Sequence, residues 1–180
     1  MLFRSFWSDK RAKSRFNLRV LRFTPKPGSE LGSDPLFGIL EEDEQTISII
    51  NGDPLFNGVA KNGQQTKLSE VKLLAPVLPR SKVVCVGKNY SDHAKEMGGE
   101  VPAEPIIFLK PNTSVIGPND VINWPWMSER IDHEAELAIV IGRICKDVPR
   151  ERATEVIFGY TIANRSEEHT SELQSRVDIS

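Results

Sequence analysis

Apolar residues in this chain come in short runs of four to seven, often β-branched and divided by glycine, proline or charged clusters, so strands are the expected elements. Residues 17–23 predict a first strand through Leu18, Val20 and Leu21. A turn region comes next over 24–34, with Pro25, Pro27, Gly28 and Gly32. Strands over 36–41 and 45–50 flank the acidic tip Glu41-Glu42-Asp43-Glu44, which reads as solvated surface. Asn51-Gly52-Asp53-Pro54 predicts a turn, and 68–77 leads out of the module. Residues 17–78 thus form a small β-rich unit with no identifiable chemistry, and 76–80 is the expected joint to the second half of the chain.

Beyond the joint, 82–87 and 106–109 predict short buried strands. Between them, 88–97 predicts a short helix capped by Asn89 or Ser91 and stopped by Gly98-Gly99. Residues 128–142 carry an acidic strand. Pro149 predicts the start of a helix with Ala153, Val156, Ile157 and Tyr160 on one face, and 159–164 begins a further strand. Trp124 and Trp126 fit a core or a pocket wall equally.

Composition narrows the class. The chain has 180 residues, a net charge of −2 and 39% hydrophobic residues, enough for one or two small cored domains. Near-neutral charge gives no reason to expect nucleic acid or an anionic membrane as partner. No apolar run approaches the length of a bilayer span. Cys85 and Cys145 lie in or beside strand-like runs and read as small core residues, which suits a reducing, cytoplasmic setting. Residues 1–16 form a basic extension without the apolar segment of a secretory signal, which leaves a transit peptide open.

The candidate chemistry begins on the acidic strand. Side chains alternate faces along a strand, so Asp132, Glu134 and Glu136 share one face with Ala138 and Val140. Carboxylates two apart are roughly 6.5–7 Å from each other at Cα. Partly buried, such like charges take up protons or recruit a hard cation; on an edge strand they are simply solvated. Both readings stand on these residues alone. On the predicted helix over 88–97, His93 and Glu96 are neighbours at i, i+3, as a general base with its orienting carboxylate would be, or as a surface pair would be. Lys110, at the end of an apolar strand, suits either an anionic ligand or a snorkelling side chain.

Four segments occur in one order: Gly87-Lys-Asn-Tyr-Ser-Asp-His-Ala-Lys-Glu96, Ile106-Ile-Phe-Leu-Lys-Pro111, Asp132-His-Glu-Ala-Glu-Leu137 and Gly159-Tyr-Thr-Ile-Ala-Asn164. Together they resemble the fumarylacetoacetate hydrolase family over about 80–164, and 17–78 resembles the small N-terminal β domain of its bacterial members. The resemblance implies a mostly β chain with short helices. It divides into a basic extension (1–16), an N-terminal β-rich domain (17–78), the first part of a β-roll catalytic domain (79–164) and a tail (165–180). It implies Mg²⁺ or Mn²⁺ held by Glu134, Glu136 and a third carboxylate after the Tyr-Thr-x-Ala-Asn segment. At that position this chain has Arg165. It also implies catalytic roles for His93 and Glu96, substrate contact by Lys110, and no family role for Asp132.

The implied substrates are small 2-oxo or enol carboxylates. The branch most resembled is 2-hydroxyhepta-2,4-diene-1,7-dioate isomerase and its decarboxylase relatives, with acylpyruvate or fumarylpyruvate hydrolases as the alternative. A non-catalytic β-rich module is a third reading. A homodimer is implied for the intact parent, in the cytoplasm or, in a eukaryote, the mitochondrion. Residues 165–175, Arg-Ser-Glu-Glu-His-Thr-Ser-Glu-Leu-Gln-Ser, resemble the in-frame translation of a common sequencing adapter. That likeness implies a native sequence ending at Asn164 and excludes His169 from any site. A β-roll cut there is expected to expose apolar faces and strand edges, and so to be inactive and prone to aggregate.

Overall fold

The computed structural model describes residues 3–5, 18–92, 102–126, 128–168 and 177–179. Strands dominate, as the pattern predicts. β1 (Phe3–Ser5), β2 (Leu18–Pro25), β3 (Leu36–Leu40) and β4 (Thr46–Ile50) precede a single α-helical turn, α1 (Pro54–Asn57). β5 (Lys61–Lys67) and β6 (Val71–Leu74) complete the N-terminal unit. The hairpin of β7 (Lys82–Gly87) and β8 (Ile106–Pro111) comes next, then the short β9 (Val115–Ile116). β10 (Ile131–Ile141), β11 (Ile157–Glu168) and β12 (Val177–Ile179) end the series.

Core packing explains the N-terminal unit. β2, β3 and β4 pair antiparallel, and their alternation puts Leu21, Phe23, Leu40, Ile47 and Ile49 in one buried cluster with Val71 of β6. Each such side chain contributes about 1.5–3 kcal/mol through removal from water. Gly38 of β3 permits the packing: a Cβ there would lie 2.4 Å from Cγ2 of Ile47. The acidic tip is held rather than merely solvated. Asp43 accepts from the Thr46 hydroxyl at 2.6 Å and from two backbone N–H groups, which together hold its carboxyl down at about 2. Two elements here have no apolar signature. β5 is polar throughout and exposed, and is recruited only by pairing with β4. α1 replaces the second half of the expected turn, with Asp53 accepting from Leu55 N at 2.9 Å as its cap.

The opposite face of this sheet carries Val20, Ile39 and Ile50, against which Val140 and Phe158 pack. That contact, with the pairing of β1 to both β2 and β11, ties the N-terminal unit to the strand pair carrying the acidic residues. β10 and β11 pair antiparallel along their length, with a register shift between Val140 and Ile141. Gly142 lies directly against this irregularity, where a Cβ would come within 2.7 Å of the Phe158 Cβ. Among the described residues the strands form one open ten-stranded sheet and a separate β7–β8 pair, without a closed barrel.

Two expectations are corrected. The helix expected from Pro149 is a 3-10 segment, Arg150–Glu155, and Ile157 and Tyr160 lie on β11 instead. Ile157, Phe158, Tyr160, Thr161 and Ile162 are β-branched or aromatic, and pairing with β10 outweighs their helical spacing. β7 and β8 are strands but are buried on one face only: Cys85 and Lys110 are buried, while Val84, Val86, Ile107 and Leu109 are exposed. Of the two readings open for Trp124 and Trp126, core does not hold: both are exposed, and Trp124 borders a small cleft beside Asp132. The helix expected over 88–97 and its glycine stop lie largely outside the described residues.

Candidate active site

The acidic strand alternates as expected, but its inward side is the polar one. Asp132, Glu134, Glu136, Ala138 and Val140 lie on the more buried face of β10, while Leu137, Ile139 and Ile141 are exposed. The solvated-edge reading is therefore corrected for Glu134 and Glu136, whose side chains are only 14% and 26% exposed. Asp132, at the more open end of the strand, pairs with Arg130 at 2.8 Å in exposed surroundings.

Antiparallel register sets Arg165 of β11 directly opposite Glu134. Its side chain is 11% exposed and forms ion pairs with both glutamates, through Nη2 to Glu134 and through Nε to Glu136 at 3.1 Å. The guanidinium lies 5.7 Å from the ring centroid of Phe108 on β8. Lys110, two residues further along that strand, is buried at 7% exposure with its ammonium 5.9 Å from the same ring. Cations over an aromatic face gain from the ring quadrupole, so Phe108 is a shared platform for the two basic side chains. Opposite Phe108 in the hairpin stands Cys85. Burial pushes its thiol up, Glu136 adds to the rise, and Lys110 and Arg165 pull it back.

Phe108, Glu134, Glu136 and Arg165 border a cleft of about 440 Å³ whose walls also include Asn89 and Tyr90. The Tyr90 hydroxyl accepts from Leu137 N at 3.3 Å, which pins Tyr90 over β10. Glu134 and Glu136 line this cleft, and Lys110 lies behind it over the Phe108 ring. His93 and Glu96 lie outside the described residues. Tyr90 and Phe108 were missed as site residues. Phe108 shares a strand face with Lys110, a period-two relation legible in the sequence; Tyr90 gave no signal beyond its place after a strand.

Mg²⁺ asks for near-ideal octahedral oxygen ligation. The side chains at 134, 136 and 165 do not fit it, because a guanidinium already engages both carboxylates and position 165 supplies no third carboxylate. Among the described residues no group of three His, Cys, Asp or Glu side chains is arranged to hold a metal.

The thiols provide a direct check on this packing. Cys145 is exposed and Cys85 buried with a raised thiol. With Ellman's reagent, Cys145 is expected to react promptly and Cys85 only on unfolding. Equal rates for the two thiols in the folded chain would show the hairpin to be open.

Known proteins share this arrangement of strands. Residues 82–170 match the family described as fumarylacetoacetate (FAA) hydrolase C-terminal, and residues 19–76 match Rv2993c-like, N-terminal. The chain belongs to the fumarylacetoacetate hydrolase family. Over 124 residues it is 54% identical to Protein Rv2993c of Mycobacterium tuberculosis, covering 69% of this chain and 46% of that protein. Over 125 residues it is 42% identical to human oxaloacetate tautomerase FAHD2A, mitochondrial, covering 69% of this chain and 38% of that protein. The crystal structure of 2-hydroxyhepta-2,4-diene-1,7-dioate isomerase from Mycobacterium marinum superposes with a TM-score of 0.72 at 35% identity, over 91% of this chain and 64% of that one. The chain spans less than half the length of the curated relatives it matches. The family to which it belongs consists of enzymes, isomerases, hydrolases and tautomerases among them. No helix among the described residues is long and apolar enough to cross a membrane.

Proposed function

We propose that the protein acts on small 2-oxo or enol carboxylates, moving a proton or double bond beside the oxo group, in the manner of a 2-hydroxyhepta-2,4-diene-1,7-dioate isomerase or decarboxylase. The observation that carries this reading is the pair of half-buried carboxylates, Glu134 and Glu136, at one cleft with Phe108, whose ring also carries the buried Lys110 ammonium. A 2-oxo acid brings an anionic carboxylate and a carbonyl oxygen that becomes negative as the enolate forms. A buried ammonium favours both charges, more strongly in a water-poor cleft than in solvent. Glu134 and Glu136 border the same cleft and carry the complementary task of holding positive charge against the substrate. Similarity to the M. marinum isomerase and the human tautomerase supports the enolate as the common intermediate, since their named reactions both interconvert enol and keto forms.

In this reading His93, oriented by Glu96, is the general base on the segment after Tyr90. A hydrolytic outcome on an acylpyruvate or fumarylpyruvate uses the same enolate, with His93 activating water. Product analysis separates the two: a keto isomer with its carbon skeleton intact supports isomerisation, and two carboxylic fragments support hydrolysis.

The test uses the chain completed by a family C-terminal part, with Arg165→Asp, and follows decay of enol absorbance for oxaloacetate and for the dienedioate in the presence of Mg²⁺. Turnover is expected, and it should stop on chelation. Glu134→Ala is expected to lower kcat/KM by about 10²-fold or more, in the range for loss of one preorganised group. His93→Ala is expected to lower turnover while leaving metal affinity intact. Full activity of the Glu134→Ala protein would remove the site assignment.

A further inference from the structure

We infer that Arg165 is the resident cation of the Glu134–Glu136 pair, so that this chain, as its sequence stands, holds no divalent ion between those carboxylates. The inference rests on the proposed reading only in taking Glu134 and Glu136 as the pair that faces substrate.

Register is the first support. Glu134 and Arg165 are direct cross-strand partners, so the guanidinium is delivered to the acid pair by the backbone ladder rather than by a mobile loop. Geometry is the second. One guanidinium engages both carboxylates, by Nη2 at Glu134 and by Nε at Glu136, 3.1 Å away. Its planar fork supplies several donors at once, and the Phe108 ring backs it. Burial is the third: with all three side chains at 26% exposure or less, water screens these interactions weakly.

Charge then decides between the two cations. Glu134, Glu136 and Arg165 sum to −1. Adding a divalent ion without expelling Arg165 places two and one positive charges within one small polar site, with Lys110 close by over the same ring. Expelling Arg165 forfeits both of its ion pairs, and provides a hard ion with only two carboxylates. A cation with N–H donors is served by this arrangement, and one that demands six oxygens is not. An aspartate at position 165 reverses the balance: the same ladder would set a third carboxylate opposite Glu134, and Mg²⁺ or Mn²⁺ becomes the cation the site takes. Arg165 is also the first residue of the adapter-like stretch, so the two side chains at this position are the natural pair to compare.

The experiment measures binding alone, with no substrate. Mn²⁺ is titrated into the 180-residue chain and into its Arg165→Asp and Arg165→Asn variants, and bound ion is followed by loss of the free Mn²⁺ paramagnetic resonance signal and by calorimetry. The chain itself is expected to show no saturable site below roughly millimolar Mn²⁺, the weak end of oxygen-ligated sites. Arg165→Asp is expected to bind at least about ten-fold more tightly, and to lose that gain with Glu134→Gln. Circular dichroism reports whether each variant retains its strands. If Arg165→Asp does not fold, Arg165→Asn decides: it removes the cation without adding a carboxylate, and should still gain binding. Saturable Mn²⁺ binding by the unaltered chain that Glu134→Gln abolishes would overturn the inference while leaving the 2-oxo acid reading in place. A folded Arg165→Asp or Arg165→Asn chain with no gain would overturn it equally.

Discussion

Arg165→Ala is expected to destabilise the folded chain by about 3–5 kcal/mol, the range for removing one partner from a buried ion pair. The cost does not come from a lost attraction alone. Glu134 and Glu136 stay on the inward face of β10, with little exposure, two residues apart and without the cation they share. Each carboxylate must then be desolvated against a like charge or take up a proton. The loss is read from the urea midpoint of the variant against the unaltered chain, by circular dichroism. A triple variant separates the cause: Glu134→Gln and Glu136→Gln added to Arg165→Ala should recover most of the loss, because no buried charge is left behind. A loss below about 1 kcal/mol for Arg165→Ala would place the triad in the class of exposed surface pairs and rule out an electrostatic role for the buried guanidinium.

Phe23→Ala is expected to cost about 3–5 kcal/mol through lost burial and the cavity left behind. Phe23 is fully buried at the centre of the β2–β3–β4 sheet, against Leu21, Leu40, Ile47, Ile49 and Val71. Gly38 lies close by, with the Phe23 ring 3.2 Å from where its Cβ would stand, so the walls of the cavity are set by backbone and collapse little. Hydrogen exchange is the suitable measurement, since it resolves the N-terminal sheet from the rest of the chain. Amides of β3 and β4 are expected to lose about 10²-fold or more of their protection. Exchange in β3 and β4 unchanged from the unaltered chain would mean that this cluster does not hold the sheet together.

Much of the candidate site was legible because its residues share strand faces, and faces derive from a period of two. Glu134 and Glu136 on one side of β10, and Phe108 with Lys110 on one side of β8, need no tertiary information. The family likeness was legible for another reason: four short segments in fixed order carry more information than any one of them. What local pattern read wrongly was decided by neighbours. Ile157 and Tyr160 sit at helical spacing from Ala153, yet β10 offers a ladder to residues 157–168, and they extend along it. β5 has no apolar residue to mark it, and forms because β4 leaves an edge to pair. The runs in β7 and β8 read as buried, but no second layer among the described residues covers Val84, Ile107 and Leu109.

By itself the sequence determined the strand-rich class, the family, and which side chains share a face on each strand, because alternation and motif order are local properties of the chain. Only the tertiary structure decided which face of β10 turns inward, and that a guanidinium from β11 lies between its two glutamates. Sidedness and pairing depend on register and on what packs opposite, and neither is written in the residues of a single strand.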